Sequence, residues 1–422
     1  MSPDPDNEYF SDGMTQELCN RLSKIQNLRL ISRLACLRFK GSSLSPMEIA
    51  KELGVEYLID GSVRKFGDEV RINAQLIVAA TGFELASYDF EGNLEGVLEA
   101  QDRAALGIAE KLQLDLDAEE VKAVWKRYTD NTQAYNAYLK GWMLLESLHS
   151  DTQPSSSKLD AAKQHFEEAL AQDSSYVLAY TGLSMVESVN YFFGYQKEYD
   201  RLERAENLAQ QALNIDDKLP EGHMALAEFF AYSGRHEEAI KSYRISLDGK
   251  PENPIAWCHL SYSCRNTDPI DLDGAEYAAR MAIKQQPTYI WSHVNLGSTL
   301  GLKEQFAEAI ETYQYCIELS PNWQYPYLTT GTIHLTLGDY DLAMDMFRRA
   351  YEISDDPEIN VRMSFVHAEQ GEKQLALAEL EEAFNAGYSY FDLIESSPHY
   401  HSLRNDDEFR ALVYKFRNQE TH

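Results

Sequence analysis

A helix-pair pattern recurs along this chain at a spacing of about 34 residues. The clearest unit runs from Pro220 to Asn253, with small residues where two helices would approach and large ones between them. One unit of this length cannot bury its own apolar face, so several units must stack. The pattern therefore predicts an all-α array. The pattern residues of this unit are Leu226, Ala227, Phe230, Gly234, Ala239, Tyr243 and Pro251.

Six further stretches carry the same alternation of small and large residues. The two most upstream are looser, and the first of them is interrupted by a serine-rich stretch at 150–158. With the unit that begins at Pro220, they predict seven helix pairs. The six units start near Asn131, Val177, Pro254, Ile290, Gln324 and Pro357.

Units of this length and alternation resemble tetratricopeptide repeats. Proline near position 32 is expected to end the second helix of a unit, because it removes a backbone donor and clashes with the preceding turn. The resemblance implies a right-handed superhelix that binds other proteins and is not itself a catalyst.

In arrays of this kind, positions 2, 5, 9, 12 and 13 of each unit project onto the inner, concave face. Several large aromatic residues fall at these positions, and exposed aromatic rings make rigid contacts at low entropic cost. We expect this face to hold a helix or an extended peptide. The alternative is that the rings pack on a neighbouring unit. The predicted binding residues are Tyr232, Tyr262, Arg265, Asn266, Trp291, Tyr325 and Phe365.

The first 116 residues follow a different pattern, typical of a small α/β domain. Alternating apolar residues on both sides of residues 66–69 predict a β-hairpin. Amphipathic spacing predicts three helices around the strands. The predicted helices are Asp12–Ile25, Pro46–Leu53 and Leu94–Leu112, and the predicted strands are Leu28–Ser32, Tyr57–Lys65, Val70–Val78 and Phe83–Phe90.

Two segments of this region, EYFSDGMTQELCNRLSKIQNLRLISR and EIAKELGVEYLIDGSVRKFGDEVRINAQLI, carry a second resemblance. Residues 4–116 resemble the TolB-like amino-terminal domain, which is similar to the FlgO domain of the bacterial flagellar outer membrane. The resemblance implies a module that stands behind an effector: a class III adenylyl cyclase, a winged-helix transcription regulator or a kinase, often after a transmembrane helix. This sequence contains no effector domain.

The TolB-like domain normally opens with an apolar strand, and this sequence begins with Met1-Ser2-Pro3-Asp4-Pro5 instead. A sheet without its first strand has unpaired backbone groups and an exposed edge. We expect either that Met1 is not the native start or that a partner chain supplies a strand for the amino-terminal sheet.

The formal net charge is −30. Such a surface repels phosphate backbones and anionic lipids, so nucleic acid is not an expected partner. The stretch Leu18–Met47 departs from this balance because it contains no Asp or Glu. It is a candidate docking face for an acidic partner or for the acidic repeats, and the alternative is an ordinary solvated face. Its basic residues are Arg21, Lys24, Arg29, Arg33, Arg38 and Lys40.

The number and spacing of the cysteines and the length of the apolar runs indicate the cellular compartment of the protein. The five cysteines are odd in number and form no CxxC motif, which argues against a disulfide framework and a zinc module. No run of 18 apolar residues is present, so neither a transmembrane span nor a signal peptide is predicted. The sequence as written predicts a cytoplasmic protein, and a periplasmic one if the native chain has an upstream transmembrane helix.

No enzyme signature is found in the sequence. Neither a phosphate-binding loop nor a dinucleotide-binding glycine motif occurs, and the elbow-like stretch Gly297–Gly301 lies within a repeat helix. His399 and His401 lack neighbouring ligands for a metal. We therefore predict no catalytic, cofactor-binding or metal-binding residues, and no cofactor.

Three parts are predicted: an α/β domain at 1–116, about seven repeats at 117–390, and a helical cap at 391–422. The predicted function is a non-enzymatic regulatory scaffold of a bacterial signalling system that binds a protein or peptide in its concave groove. The alternative is the regulatory carboxy-terminal part of an adenylyl cyclase, or of a winged-helix regulator, whose effector lies upstream of Met1.

Overall fold

The computed structural model of the chain describes residues 5–25, 27–31, 33–36, 39–66, 69–93, 96–148, 155–194 and 199–419. The chain divides into two compact units, Met1–Tyr289 and Ile290–His422. No helix among these residues is long and apolar enough to cross a membrane.

The first unit begins with a small antiparallel sheet and its flanking helices. Three ten-residue strands pair in the order β1-β2-β3, with Tyr57 opposite Val78 in the first ladder. The sheet face that carries Leu76 packs on the first and fourth helices around a core that includes Leu22 and Ile108. The elements are α1 (Pro5–Leu22), α2 (Arg33–Cys36), α3 (Pro46–Leu53), β1 (Tyr57–Phe66), β2 (Glu69–Val78), β3 (Glu84–Asn93), α4 (Val97–Lys111) and α5 (Ala118–Trp125).

The hairpin of β1 and β2 and the helix at Pro46–Leu53 occur where the sequence predicts them. Ser45 and Glu48 form a capping box at the start of that helix, and Gly54 ends it with φ of 67°. The strand predicted at Leu28–Ser32 is wrong for residues 28–31, and Ser32 lies outside the described residues. Leu28 and Leu30 pack against the core from an irregular segment. No described strand lies beside them, so their alternation reflects packing and not sheet pairing.

Seven helix pairs follow in the part of the chain that the structure describes. Each pair begins within one residue of a start that the sequence predicts. Four pairs lie in the first unit and three in the second. The pairs are α6 (Thr132–Ser147) with α7 (Ser156–Gln172), α8 (Val177–Phe192) with α9 (Tyr199–Ile215), α10 (Pro220–Tyr232) with α11 (His236–Gly249), α12 (Pro254–Asn266) with α13 (Leu272–Gln285), α14 (Ile290–Leu302) with α15 (Phe306–Leu319), α16 (Gln324–Leu337) with α17 (Tyr340–Ile353), and α18 (Pro357–Glu369) with α19 (Lys373–Asn385).

The helices of a pair approach each other through small residues. Ala343 and Ala350 of α17 are fully buried. A Cβ atom added to Gly331 of α16 would lie 2.5 Å from the buried ring of Phe347, so only glycine fits there. The predicted fold class, a small α/β domain followed by an all-α repeat array, is confirmed.

Two helices and a short 3-10 turn follow the last pair. The hydroxyl groups of Tyr400 in that turn and Ser364 in α18 are hydrogen-bonded to each other. The ring of Phe409 packs on Tyr400 with a centroid distance of 5.0 Å, so the carboxy-terminal segment joins the core of the second unit. The elements are α20 (Phe391–Ser396), the 3-10 turn Pro398–Tyr400 and α21 (Asp407–Gln419).

We predict that Gly331→Ala destabilises the second unit by about 1–3 kcal/mol, because its new methyl group overlaps a ring that cannot move aside. Gly301→Ala is the matched control, since a Cβ there meets no atom within 4 Å. It should leave stability unchanged or raise it by up to about 1 kcal/mol through helix propensity. Urea denaturation followed by circular dichroism measures both. Equal destabilisation by the two substitutions would contradict the packing argument.

Candidate functional site

A buried carboxylate joins the amino-terminal domain to the segment that leads into the repeats. Asp102 of α4 is fully buried and is paired with Arg21 of α1 and with Arg127. The Arg21 guanidinium also donates to the carbonyl of Val124 in α5, at 2.9 Å. A buried carboxylate is stable only when it is paired and hydrogen-bonded. These contacts therefore hold α1, α4, α5 and the following loop in one arrangement.

Helix α1 lies against the first repeats. A small cavity of about 70 Å³ is lined both by α1 and by residues of α6, α10 and α12. The repeats contribute Glu221, Met224 and Ile255 to its lining, and these residues occupy positions 2 and 5 of their 34-residue repeats. The Lys250 ammonium donates to the side-chain oxygen of Asn20 at 2.8 Å. Part of the inner-face surface of the first unit is therefore already covered by the chain's own first helix.

Charged side chains meet at this contact. Burial raises the pKa of Glu17 and lowers the pKa of Lys24. Burial also acts to raise the pKa of Glu221, but Lys250 and Lys24 outweigh it and lower that pKa. Lys250 lies 3.3 Å from Glu221. The contact between α1 and the repeats is thus a network of opposite charges with little access to water.

The basic residues predicted as a docking face are dispersed in the structure. Arg21 is buried as described above, and Arg33 is buried in an ion pair with Glu146 of α6. Docking on a separate acidic partner is wrong for these two, because both guanidinium groups are already paired inside the chain. The pair of Arg33 with Glu146 agrees with the alternative of docking on the acidic repeats, because α6 belongs to the first repeat. Lys24 is half-buried, Lys40 pairs with Asp12 at 2.9 Å, and Arg29 is exposed. Arg38 lies outside the described residues.

The predicted inner-face residues of the first unit lie on two neighbouring helices. Tyr232 of α10 is half-buried and stacks on Phe192, with ring centroids 4.8 Å apart. The Tyr262 ring of α12 lies beside the Arg265 guanidinium, 5.8 Å from ring centroid to guanidinium carbon. The Asn266 amide donates to the Tyr262 carbonyl at 2.7 Å. Tyr262 is half-buried and Asn266 exposed, so a contact surface at the ends of these helices stays a prediction.

The second unit contains a groove of about 480 Å³. Tyr325 lines it and is 36% exposed. The hydroxyl groups of Thr329, Thr332 and Thr336 donate to carbonyls one turn earlier in α16, which leaves their oxygen lone pairs able to accept hydrogen bonds from a ligand. The remaining lining residues that matter for recognition are Ser298, Leu302, Gln324, Leu328, Asp356, Glu358 and Arg362.

Two other predicted binding residues of the second unit pack inside it. Phe365 is only 7% exposed, and its ring lies 4.7 Å from His399 and 5.2 Å from Tyr400. The prediction of Phe365 as an exposed groove residue is therefore wrong, because the carboxy-terminal segment covers it. Trp291 is half-buried and its ring lies 5.1 Å from Trp323, which in turn stacks on Tyr325. Trp291 thus supports the groove aromatic through Trp323.

Sequence reasoning missed the threonine row of α16 and the Asp102 junction. The spacing of Thr329, Thr332 and Thr336 places them along one side of a helix. That spacing was a usable signal for the row. No comparable signal marks Asp102, because its partner Arg21 is 81 residues away in the chain. Among the described residues no cluster of His, Cys, Asp or Glu is placed to hold a metal ion.

Three stretches of the repeat array match a known family. Family models of the tetratricopeptide repeat match residues 223–255, 292–322 and 326–357. These ranges fall on α10–α11, α14–α15 and α16–α17. The chain contains tetratricopeptide repeats, a fold that in other proteins serves as a scaffold for protein interaction.

Two relatives are much longer than the stretches that match this chain. A protein named "Putative adenylate cyclase 3" of Rhizobium meliloti is 31% identical over 242 residues, which are 57% of this chain and 40% of that protein. A TPR repeat-containing protein of Methanocaldococcus jannaschii is 23% identical over 44% of this chain and 31% of its own length. The chain therefore spans well under half of each. Among solved structures, a tetratricopeptide repeat protein of Parabacteroides merdae aligns with a TM-score of 0.43 and 15% identity, over 67% of this chain and 98% of that chain.

We predict that Asp102→Ala costs about 3–5 kcal/mol of unfolding free energy, because it removes the fully buried partner of Arg21 and leaves that buried guanidinium only the partly exposed Glu17, at 3.2 Å. Urea denaturation measures the loss, and hydrogen exchange should localise it to α1, α4 and α5. The control is Glu91→Ala. It breaks an ion pair with Arg71 in which both side chains are about two-thirds exposed, and should cost no more than about 1 kcal/mol. Equal costs would show that the junction does not depend on Asp102.

Proposed function

We propose that this chain is a non-enzymatic regulatory module that binds a peptide segment of a partner protein in the groove of residues 290–369. The supporting observation is the groove itself: an exposed tyrosine beside the threonine row of α16, in a groove that the first helices α14, α16 and α18 of consecutive repeats line together. Such a surface offers an aromatic anchor with a polar rim, the arrangement that carries most of the binding energy in protein interfaces.

The groove favours a peptide with large apolar and basic residues. Tyr325, Leu328 and Leu302 provide apolar contacts. Two carboxylates, of Asp356 and Glu358, line the groove beside one guanidinium, and Arg362 is itself paired with Glu358 at 2.6 Å. The whole chain carries a formal charge of −30, which steers a cationic partner toward it and repels an acidic one.

Regulation would follow from differential binding. The amino-terminal domain is tied to the first repeats by Arg33–Glu146, Asn20–Lys250 and the hydrogen bond from Gln101 to Tyr135. A partner that favours one arrangement of the helix pairs biases whatever is attached to that domain, by as much as its affinities for the two arrangements differ. The resemblance of residues 4–116 to the TolB-like domain supports a role of this kind beside an effector.

Tyr325→Ala tests the groove. Peptides selected on the chain from a random phage-displayed library should be rich in Lys, Arg and large apolar residues. Their affinity should fall at least tenfold in Tyr325→Ala, equivalent to about 1.4 kcal/mol. Tyr351→Ala is the control, because Tyr351 is equally exposed at 38% on α17 but does not line the groove. Unchanged affinity in Tyr325→Ala, with normal helicity, would refute the assignment.

A second candidate function is the regulatory part of a larger adenylyl cyclase. The match to the Rhizobium meliloti protein supports it, since 57% of this chain aligns with 40% of a protein that bears a cyclase name. On this proposal the catalytic part belongs to the same native polypeptide and the repeats control it.

The size of the native protein distinguishes the two candidates. An antibody raised against the repeats should, on the cyclase proposal, detect a polypeptide much larger than 422 residues on a denaturing blot of the source cells. A band at the mass of the 422-residue chain would reject this candidate and favour a separate effector protein.

Strand addition to the amino-terminal sheet is a further proposed contact. In the sheet formed by the described residues, β1 is an edge strand of ten residues. Tyr57 and Ile59 on it are 41% and 40% exposed. A long edge with exposed apolar side chains is suited to pairing with a strand of a partner protein.

A further inference from the structure

A cavity of about 450 Å³ lies between the sheet and helices α1 and α4. Its floor is formed by two cross-strand rows, Gly61–Ala74–Tyr88 and Val63–Ile72–Phe90. These rows lie on the same face as Leu76, which packs under the helices in the solid part of the core. Its roof includes Met14 and Leu18 of α1 and Ala100 and Ala104 of α4.

The cavity exists because its walls are lined by small residues. Gly61 and Ala74 on the floor face Ala100 and Ala104 on the roof, and none of them can fill the space between the layers. One turn further along α4, the larger Ile108 closes the same gap against Leu76. The cavity is open to solvent, since Thr15 and Gly61 on its walls are exposed, and displacing water from its apolar floor and roof favours an apolar occupant.

The side chains that line the cavity determine which class of molecule it can bind. The two floor rows and the roof residues named above are aliphatic or aromatic, and water gains few hydrogen bonds against them, while Ser11 and Thr15 of α1 add polar groups to the wall. Arg103, with its side chain 62% exposed, and the exposed carboxylates of Asp60 and Asp89 line the site together, so opposite charges there select neither ion strongly, and the chain's charge of −30 disfavours an anion. The volume lies in the range of small-molecule sites, about 300–1,000 Å³.

One buried polar group borders the cavity. Gln101 of α4 is 3% exposed, and its amide nitrogen donates to the Tyr135 hydroxyl at 3.1 Å and to the Met14 sulfur at 2.8 Å. None of the residues that the structure describes donates a hydrogen bond to its amide oxygen.

We propose that this cavity binds one uncharged, mainly apolar small molecule, aromatic or branched aliphatic. The site is separate from the peptide groove. Gln101 connects it to the first repeat through Tyr135 of α6, so the occupant reaches the contact between the amino-terminal domain and the repeats. The amino-terminal domain is thereby a ligand-sensing element.

The test uses N-phenyl-1-naphthylamine, an uncharged aromatic amine with one N–H whose fluorescence rises in apolar surroundings. The full chain should bind one molecule. Ala104→Phe fills the cavity from the roof and Ala74→Leu from the floor, and each should weaken binding at least tenfold while far-UV circular dichroism is unchanged. Glu99→Phe is the matched control: it adds the same ring on α4 at a residue that is 61% exposed and does not line the cavity.

Three results would overturn the proposal. The first is no saturable binding to the native chain. The second is binding that survives both filling substitutions, which would place the dye elsewhere on the chain. The third is an equal loss in Glu99→Phe, which would mean that any bulky residue on α4 is disruptive. The anionic 1-anilinonaphthalene-8-sulfonate should bind at least tenfold more weakly, and equal affinity would refute the preference for an uncharged ligand.

The proposed link to the repeats has its own readout. Dye binding should slow amide hydrogen exchange in α6 around Tyr135 by at least threefold, since the occupant restrains the Gln101 side chain. Exchange in α6 that is unaffected by saturating dye would refute the link.

Discussion

The ion pairs of Asp102 with Arg21 and Arg127 hold the amino-terminal half of the first unit together. A fully buried carboxylate is tolerated only where its counter-ions are fixed in place, so α1, α4 and the segment after α5 must assemble together. Once α1 is held by Arg21, its opposite side is presented to the repeats. The bond from Lys250 to Asn20 then follows from the position of α1, and Arg33 of α2 adds a pair with Glu146.

Close packing between the two helices of each pair holds the repeats together, as the Asp102 ion pairs hold the amino-terminal half of the first unit. Glycine and alanine at the contact positions allow each first helix to lie directly on its partner, as Gly331 does on Phe347. The side chains on the opposite side of the first helices are then free to form recognition surfaces. In the first unit α1 takes part of that surface. In the second unit the groove beside Tyr325 presents hydroxyl and aromatic groups together.

Particular residues show how far sequence reasoning reached. The helix pairs beginning at Pro220, Pro254 and Pro357 could be predicted because proline at the first helical position and small residues at fixed spacing act locally. The strand at Leu28 and the exposure of Phe365 could not. Both depend on neighbours far along the chain. No described strand lies beside residues 28–31, and the 3-10 turn at Tyr400 covers Phe365.

The sequence by itself determined the repeat period, the starts of the helix pairs, the β1–β2 hairpin and the acidic character of the protein, because these depend on residues close together or on composition. Only the tertiary structure decided that Arg21 and Arg33 are internal and that a cavity separates α4 from the sheet. Ion pairing across 81 and 113 residues has no local signature, since the attraction between two charges is set by their distance in space and not by their separation in the chain.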